Sequence, residues 1–526
     1  CNMLLAASIS SLARQPTSGA MDSRGGDSLR GHIAAVWRHT RKATLLALVA
    51  MIAVACANAS SDEPATTEEP SAAVVEATPI GTPVPTVESP ATAAPTSTPS
   101  PTATPIPTPT PTPMPEEICD VSMSNEGSFF GDGTVSYPFD TFEAALASTF
   151  SGDVLCVLPG RYDAGFQVTT SGTEDRPITI RGFEGTSVES IAVFADDVIV
   201  EHFDISGATR IEGSGVFIDG QRVTVRHNTI HDMVGIGVGC IQTFAGEPAR
   251  CVEATIVDNT IWAIDGWGIW VWGEDHFVAR NDISRVFAAS HQDADAIRFF
   301  GSGHEFRQNY IHDIFESDAQ NGRDPHSDCF QTYDVLASYA PLEDIVIAQN
   351  VCSTDRHGII MTALNGSPAR NIVIENNVFV SDGVAVVLLI GDSDAQREQY
   401  RDVTIANNLI TGDVDYEGIQ AYGGAEVDLF NNLFLGDFVP FAGSSLQPGA
   451  GSFVSNNVEA DATDFVDISD GDVRRRYRLA AGSVAIDSGL DTNAPAQDLN
   501  NAPRPVDGTG DGVAVTDIGP YEYQNN

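Results

Sequence analysis

The sequence predicts an all-β chain wound as a parallel β-helix of about eleven rungs, and three observations carry that prediction. Short apolar segments alternate with polar residues in period two, the pattern of half-buried strands. An asparagine returns at the same place after successive segments: Asn228, Asn259, Asn281, Asn309, Asn350, Asn377, Asn408, Asn432 and Asn457, 22 to 41 residues apart. Phe183 and Phe203 hold that place in two earlier copies. A strand pattern also repeats near the centre, as Gly268-Ile-Trp-Val-Trp272, Asp295-Ala-Ile-Arg-Phe-Phe300, Asp328-Cys-Phe-Gln-Thr-Tyr333 and Gly358-Ile-Ile-Met-Thr362. A variable period of this size means stacked supersecondary units that bury their apolar faces only against their neighbours.

Four segments follow in order. Residues 1–56 read as an upstream stretch, with Met21 or a later residue as the expected start, and then a signal peptide. Arg38-His-Thr-Arg-Lys42 is its basic region, and the apolar run 43–55 is too short to span a bilayer. The run ends Ala53-Val-Ala-Cys56, which resembles a bacterial lipobox with Ala53 where the pattern prefers Leu. Lipidation at Cys56 is the expectation, ordinary signal cleavage the alternative. Residues 57–117 are rich in Pro, Thr, Ala and Ser, cannot bury a core, and read as an extended stalk. Residues 118–460 are the predicted stack. Its entry, Tyr137-Pro-Phe-Asp-Thr-Phe-Glu-Ala-Ala-Leu146, predicts a short helix with Asp140 as N-cap and Glu143 three residues on, placed to cover the open end of the core. Residues 461–526 change character and predict a small C-terminal module. Within it, Asp507-Gly-Thr-Gly-Asp-Gly512 reads either as a Ca²⁺ loop or as a plain Asp/Gly turn.

Composition narrows the function. With a formal net charge of −45 and a pI near 4.2, the chain excludes nucleic acid as a partner. Its one lysine, Lys42, falls in the predicted signal peptide, so no mechanism needing a lysine base or Schiff base is open to the mature protein. Of eight cysteines, Cys1 falls in the removed segment and Cys56 is the expected lipidation site, and six remain, enough for three bridges in an exported protein. Neighbour pairing, Cys119–Cys156, Cys240–Cys251 and Cys329–Cys352, is the expected arrangement among several possible ones.

Through the repeats and their asparagines the chain resembles the right-handed parallel β-helix proteins of the pectate lyase-like class, over residues 118–460. The tail, with Leu479-Ala-Ala-Gly-Ser-Val-Ala-Ile-Asp-Ser-Gly489 and Asp517-Ile-Gly-Pro-Tyr-Glu-Tyr523, resembles the module that follows such helices in bacterial surface proteins. The resemblance implies a right-handed winding, a monomer at the bacterial cell surface or outside the cell, held to the membrane only through an N-terminal lipid anchor, and a polysaccharide partner.

Alignment of the central strands on their apolar positions places Ile269, Ile297, Phe330 and Ile359 in one inward column. Trp270, Arg298, Gln331 and Ile360 then form one outward column, and Trp272, Phe300, Tyr333 and Thr362 the next. Asp295, Asp328 and His357 stand at the strand entries, with Asp293 and His326 two residues earlier. One solvent-facing groove is therefore expected to hold Arg298, Asp295, Asp328, His326 and His357 as candidate catalytic groups. Trp270, Trp272, Phe300, Gln331 and Tyr333 would bind sugar, and Asp293, Asp295 and Asp328 would ligate Ca²⁺. Similarity to pectate lyases implies Ca²⁺-assisted β-elimination on a uronate glycan with Arg298 as base. Asp295 and Asp328 as paired carboxylates would instead serve a glycoside hydrolase. Asp324-Pro-His326 resembles a motif of alginate C5-epimerases, although Asn321 stands where those carry Tyr. A non-catalytic glycan-binding protein or adhesin, its aromatic ladder holding sugar without turnover, is the reading outside enzymology. His231-Asp232 and His312-Asp313 recur in register after the corner asparagine and read as corner architecture.

Overall fold

The computed structural model describes residues 118–525, apart from 209–212, 242–249, 291–292, 315–326, 334–341, 364–368, 382–384, 392–399, 413–416, 423–425 and 444–451. The expectations for the signal peptide, lipobox and stalk, for His326 and for the Asp324-Pro-His326 tripeptide lie outside the described residues. Among those residues no helix is long and apolar enough to cross a membrane.

Every pairing between strands of the described chain is parallel, and each strand pairs with its counterpart one rung away. The chain is a right-handed parallel β-helix. Its interior consists of columns in which one rung's apolar side chain sits on the next. Val225, Ile256, Val278, Phe306, Ile347 and Ile374 form one column. Ile230, Ile261, Ile283 and Ile311 form a second. Ile269, Ile297, Phe330 and Ile359 form the third, as the alternation predicts. All of these side chains are fully buried. At the N-terminal end the helix Phe142–Ala147 contributes Phe142, Ala145 and Leu146 to this core, and Phe142 stacks on Phe166 at 4.4 Å. Its N-cap is Thr141, whose hydroxyl accepts from Ala144 N, and not Asp140, because the helix begins one residue later than the sequence signal placed it. The three disulfides are Cys119–Cys156, Cys240–Cys251 and Cys329–Cys352, the neighbour pairing, with Cα–Cα separations of 5.6, 5.8 and 6.3 Å.

The recurring asparagines make one unbroken ladder. Each donates from its side-chain amide to the amide oxygen of the next, from Asn228 to Asn259, Asn281, Asn309, Asn350, Asn377, Asn408, Asn432 and Asn457, at 2.9 to 3.1 Å. The same oxygen also accepts the backbone N–H of the rung above, as in Asn281 N to Asn309. The left-handed backbone of the corner belongs to the residue before each asparagine: His227, Asp258, Arg280, Gln308, Gln349, Asn376, Asn407, Asn431 and Asn456 have φ between 51° and 60°. The ladder residue is therefore chosen for its amide and its predecessor for tolerance of that φ. Asn309→Ala should cost about 2–3 kcal/mol, since it leaves buried donors on Asn281 without their acceptor and takes a donor from Val278 O. Denaturant unfolding checks this. A change under about 0.5 kcal/mol, the size of an ordinary surface substitution, would contradict it.

The tail lies along the outside of this corner. Its core of Phe465, Tyr477, Leu479, Leu499 and Ile518 packs on Val351, Val378, Leu409 and Leu433 of the stack. The left-handed residues tie it down: Gln349 donates to Asp498 O, Asn376 to Gln497 O, Asn407 to Asp517 O, Asn431 to Leu490 O and Asn456 to Ser488 O. Where the tail lies over the corner the preceding residue is an amide; at the earlier rungs it is His202, His227, Asp258 or Arg280. At the docked face Arg504 lies 3.4 Å from Glu522. Burial pushes Glu522 up to about 7 and Asp517 up to about 6. Folded carboxyls raised in this way hold protons that the unfolded chain releases. Their contribution is complete below the ordinary carboxylate values and is lost as pH rises through 6 to 7. Amide-exchange protection of Leu499 and Ile518 should accordingly decline across that window, and protection that rises there would contradict it.

Candidate functional site

The site is assembled by register. Trp270, Arg298, Gln331 and Ile360 are successive partners across four rungs. One step earlier, Ala296 N donates to Asp328 O and Cys329 N to His357 O, so Asp295, Asp328 and His357 enter their strands one above another. The Cys329–Cys352 disulfide fixes the backbone beside Asp328. Ile269, Ile297, Phe330 and Ile359 fill the interior, which leaves Arg298 and Gln331 on the outward side of their strands.

They form one hydrogen-bonded network. Arg298 donates from Nε to Asp295 Oδ2 at 2.6 Å, and its Nη2 reaches Asp293 Oδ2 at 2.7 Å, Asp295 Oδ2 at 2.5 Å and Gln331 Oε1 at 2.5 Å. Gln331 Nε2 donates to Asp328 Oδ2 at 2.9 Å, and Asp328 Oδ1 lies 2.8 Å from His357 Nδ1. The guanidinium sits in an aromatic frame, its Cζ 5.0 Å from the ring centre of Trp267, 5.3 Å from Trp270 and 5.4 Å from Tyr333. Trp272, Phe300 and Tyr333 continue the aromatic surface, with ring centres 5.2 and 5.0 Å apart.

Of the expected groups, Arg298, Asp293, Asp295, Asp328 and His357 are thus brought together, but not in an open groove. Arg298 is 2% exposed, Asp295 and Asp328 0%, and His357 4%. Tryptophan, tyrosine and phenylalanine side chains from adjacent columns close over the polar ones, which strand alternation alone does not reveal. Asp293 is the half-exposed end of the network, and Trp270, Trp272 and Tyr333 are half-buried above it. Phe300, expected to meet sugar, lies buried beneath Trp272 and Tyr333. Gln331, also expected to meet sugar, joins Arg298 to Asp328 with both ends of its amide. Trp267 shares in framing the guanidinium, a role its sequence position at a strand entry did not separate from loop packing.

The electrostatics follow from one guanidinium among three carboxylates. Burial raises Asp295 well above the ordinary carboxylate range, and the charges of Asp328 and Asp293 add to this against the opposing pull of Arg298. Both contacts from Arg298 fall on Oδ2, and Asp295 Oδ1 is buried with no partner. Burial works to lower Arg298, but the carboxyl groups of Asp295 and Asp293 beside it outweigh this and hold the guanidinium protonated. An arginine held in this way does not give up a proton readily, which sets it apart from the base expected of it.

Nor do Asp293, Asp295 and Asp328 fit a Ca²⁺ ion as they stand. The guanidinium occupies the space between the first two, and Gln331 and His357 take the oxygens of the third. In the tail, Asp507 accepts the N–H groups of Gly510, Asp511 and Gly512, a closed Asp/Gly turn. His276 Nε2 lies 3.4 Å from Cys240 Sγ, but both sulfurs there belong to a disulfide, and burial lowers His276 to about 3. His231 and His312 each sit between two aspartates, Asp204 with Asp232 and Asp282 with Asp313, at equivalent corners.

No protein-family model and no curated protein matches the chain. Solved structures share its winding. A pectate lyase, Pel9A, is 14% identical, with a TM-score of 0.46 over 78% of this chain and 98% of its own. XylC, solved in complex with xylose, is 10% identical at 0.49 over 77% and 99%. The A-module of the mannuronan C-5 epimerase AlgE6 of Azotobacter vinelandii is 14% identical at 0.38 over 60% and 93%. At these values no property of those proteins passes to this chain.

Proposed function

We propose that this is an extracellular polysaccharide-active enzyme whose network performs acid–base hydrolysis of a glycosidic bond. One observation carries the reading: a fully buried aspartate, Asp295, keeps a partnerless oxygen in a place where burial and neighbouring carboxylates favour its protonated form. A carboxyl group raised in this way is suited to donate a proton near neutral pH. Asp295 gives its proton to the glycosidic oxygen as the C–O bond breaks. A water adds to the sugar carbon, and its proton passes to the hydrogen-bonded Asp328–His357 pair. Arg298 orients Asp295 and stabilises the carboxylate left behind. Trp270, Trp272 and Tyr333 offer apolar ring faces to the sugar, and substrate enters from the half-exposed Asp293 side as Trp270 and Tyr333 swing aside. The three disulfides suit an oxidising, extracytoplasmic setting.

A screen of neutral and uronate polysaccharides, with and without Ca²⁺, tests this by reducing ends and by the ultraviolet absorbance of unsaturated products. New reducing ends without absorbance are expected, with no requirement for Ca²⁺. Absorbance gain would replace hydrolysis with elimination, and binding without either product would make the protein a glycan-binding surface protein.

A further inference from the structure

The outer face near His231 and His312 has an aromatic surface of its own, sharing no residue with the aspartate network. By register, His231, Trp262, Ser284 and His312 stand in one column there. The rings of His231 and Trp262 stack face to face, 4.6 Å apart and within 2° of parallel. His231 therefore covers one face of the indole. On the other side the next rung brings Ser284, which has no ring, and the stack is interrupted there. Trp262 and Ser284 are both half-buried. The indole N–H of Trp262 and the hydroxyl of Ser284 make no hydrogen bond among the described residues, and both are open to solvent, unlike the buried indole N–H groups of Trp267 and Trp270.

The groups at the edge of this indole face indicate the ligand. His312 lies between Asp282, at 2.9 Å, and Asp313, at 2.8 Å. Burial works to lower this imidazole, but its hydrogen bonds to the two carboxylates raise it. Arg285 is exposed, has no ion pair among the described residues, and holds its Cζ 5.9 Å from the Trp262 ring centre, the outer limit of such contacts. An anionic ligand would face Asp282 and Asp313, and the place a cation would take over the ring is held by Arg285. What fits is a neutral group with one apolar face and a rim that both donates and accepts hydrogen bonds. A pyranose has that form: its C–H face packs on an aromatic ring, and its hydroxyls serve as donors and acceptors.

We infer that Trp262 and Ser284 form an accessory platform for a neutral pyranose unit of a polysaccharide. The sugar lies with its C–H face on the indole, in the place beside Ser284 where the column has no ring. Arg285 moves off the ring and donates to the sugar hydroxyls, while Asp282 and the Ser284 hydroxyl accept from them. Trp262 and Trp270 belong to one strand, Thr260–Glu274, so at most about 26 Å of extended chain separates them. A polymer held on the platform thus stays within reach of the Asp295 network. The inference rests on the polysaccharide reading only for the choice of a polymer as ligand. It uses none of Arg298, Asp295, Asp328 or His357, so either can fail without the other.

Affinity electrophoresis of the full chain through soluble β-1,4-xylan, mixed-linkage β-glucan, galactomannan and polygalacturonate provides the test. Retardation by at least one neutral polymer is expected. Trp262→Ala should raise the dissociation constant for that polymer about tenfold, as for the loss of a stacked ring. Ser284→Phe should weaken binding as much by filling the place with a ring while Trp262 stays. The column already accepts rings at His231, Trp262 and His312, so this second variant keeps the fold. Both variants should release reducing ends from a short oligosaccharide of the same polymer at the parent rate, and both should leave any retardation by polygalacturonate unchanged. No retardation by a neutral polymer, or retardation that survives Ser284→Phe, would overturn the inference. So would a loss confined to polygalacturonate, or slower cleavage of the short oligosaccharide by Ser284→Phe, which would place the effect in the Asp295 network.

Discussion

Asp295→Asn should reduce polysaccharide turnover by about 10²–10⁴-fold, the usual share of a general acid, while leaving the chain folded. Asparagine is nearly isosteric, and its oxygen can still accept from Arg298 Nε, so the network keeps its outline. What it lacks is the acidic proton. The pH profile makes the same claim independently. Burial lifts Asp295 above the ordinary carboxylate range, so the active, protonated form persists to higher pH than an exposed aspartate allows. Turnover should therefore fall as pH rises through that raised value. The residual activity of Asp295→Asn should lack the limb. Full activity in the variant, or a limb that survives in it, would remove Asp295 as the acid.

Arg298→Ala should be strongly destabilising, by about 3–5 kcal/mol, the cost of breaking a buried ion pair from one side. The guanidinium bonds to Asp293 and Asp295 and, through Gln331, reaches Asp328, and its loss also opens a space beneath Trp267, Trp270 and Tyr333. The sign with pH follows. Without Arg298 the buried carboxylates hold protons more tightly in the folded state, so the penalty should shrink as pH falls and they become neutral. Thermal unfolding across pH measures this. A variant as stable as the parent at neutral pH would mean that Arg298 is solvated, as strand alternation alone had suggested.

That contrast shows where the sequence stops being informative. Alternation determines which side of a strand a residue takes, so the inward column Ile269, Ile297, Phe330 and Ile359 and the outward column Trp270, Arg298, Gln331 and Ile360 were both legible. The asparagine ladder was legible because its oxygen and amide must recur in every rung. Outward does not mean exposed, however. Whether Arg298 meets water depends on how Trp267 and Trp270 from one strand and Tyr333 from another close over it, which no local pattern encodes. The path of the tail was hidden for a similar reason. Its signal is an amide before the ladder asparagine, at Gln308, Gln349, Asn376, Asn407, Asn431 and Asn456, where earlier rungs have His227, Asp258 and Arg280. That substitution has meaning only once the left-handed residue is known to face outward.

The central claim, that Asp295 holds its proton above the pH at which an ordinary carboxyl loses it, is tested most directly by infrared difference spectroscopy of the parent and Asp295→Asn across pH. The account predicts a protonated carboxyl C=O stretch in the parent that persists above the ordinary carboxylate range and is lost in Asp295→Asn. A parent spectrum without that band, or a band unchanged by the substitution, would contradict it.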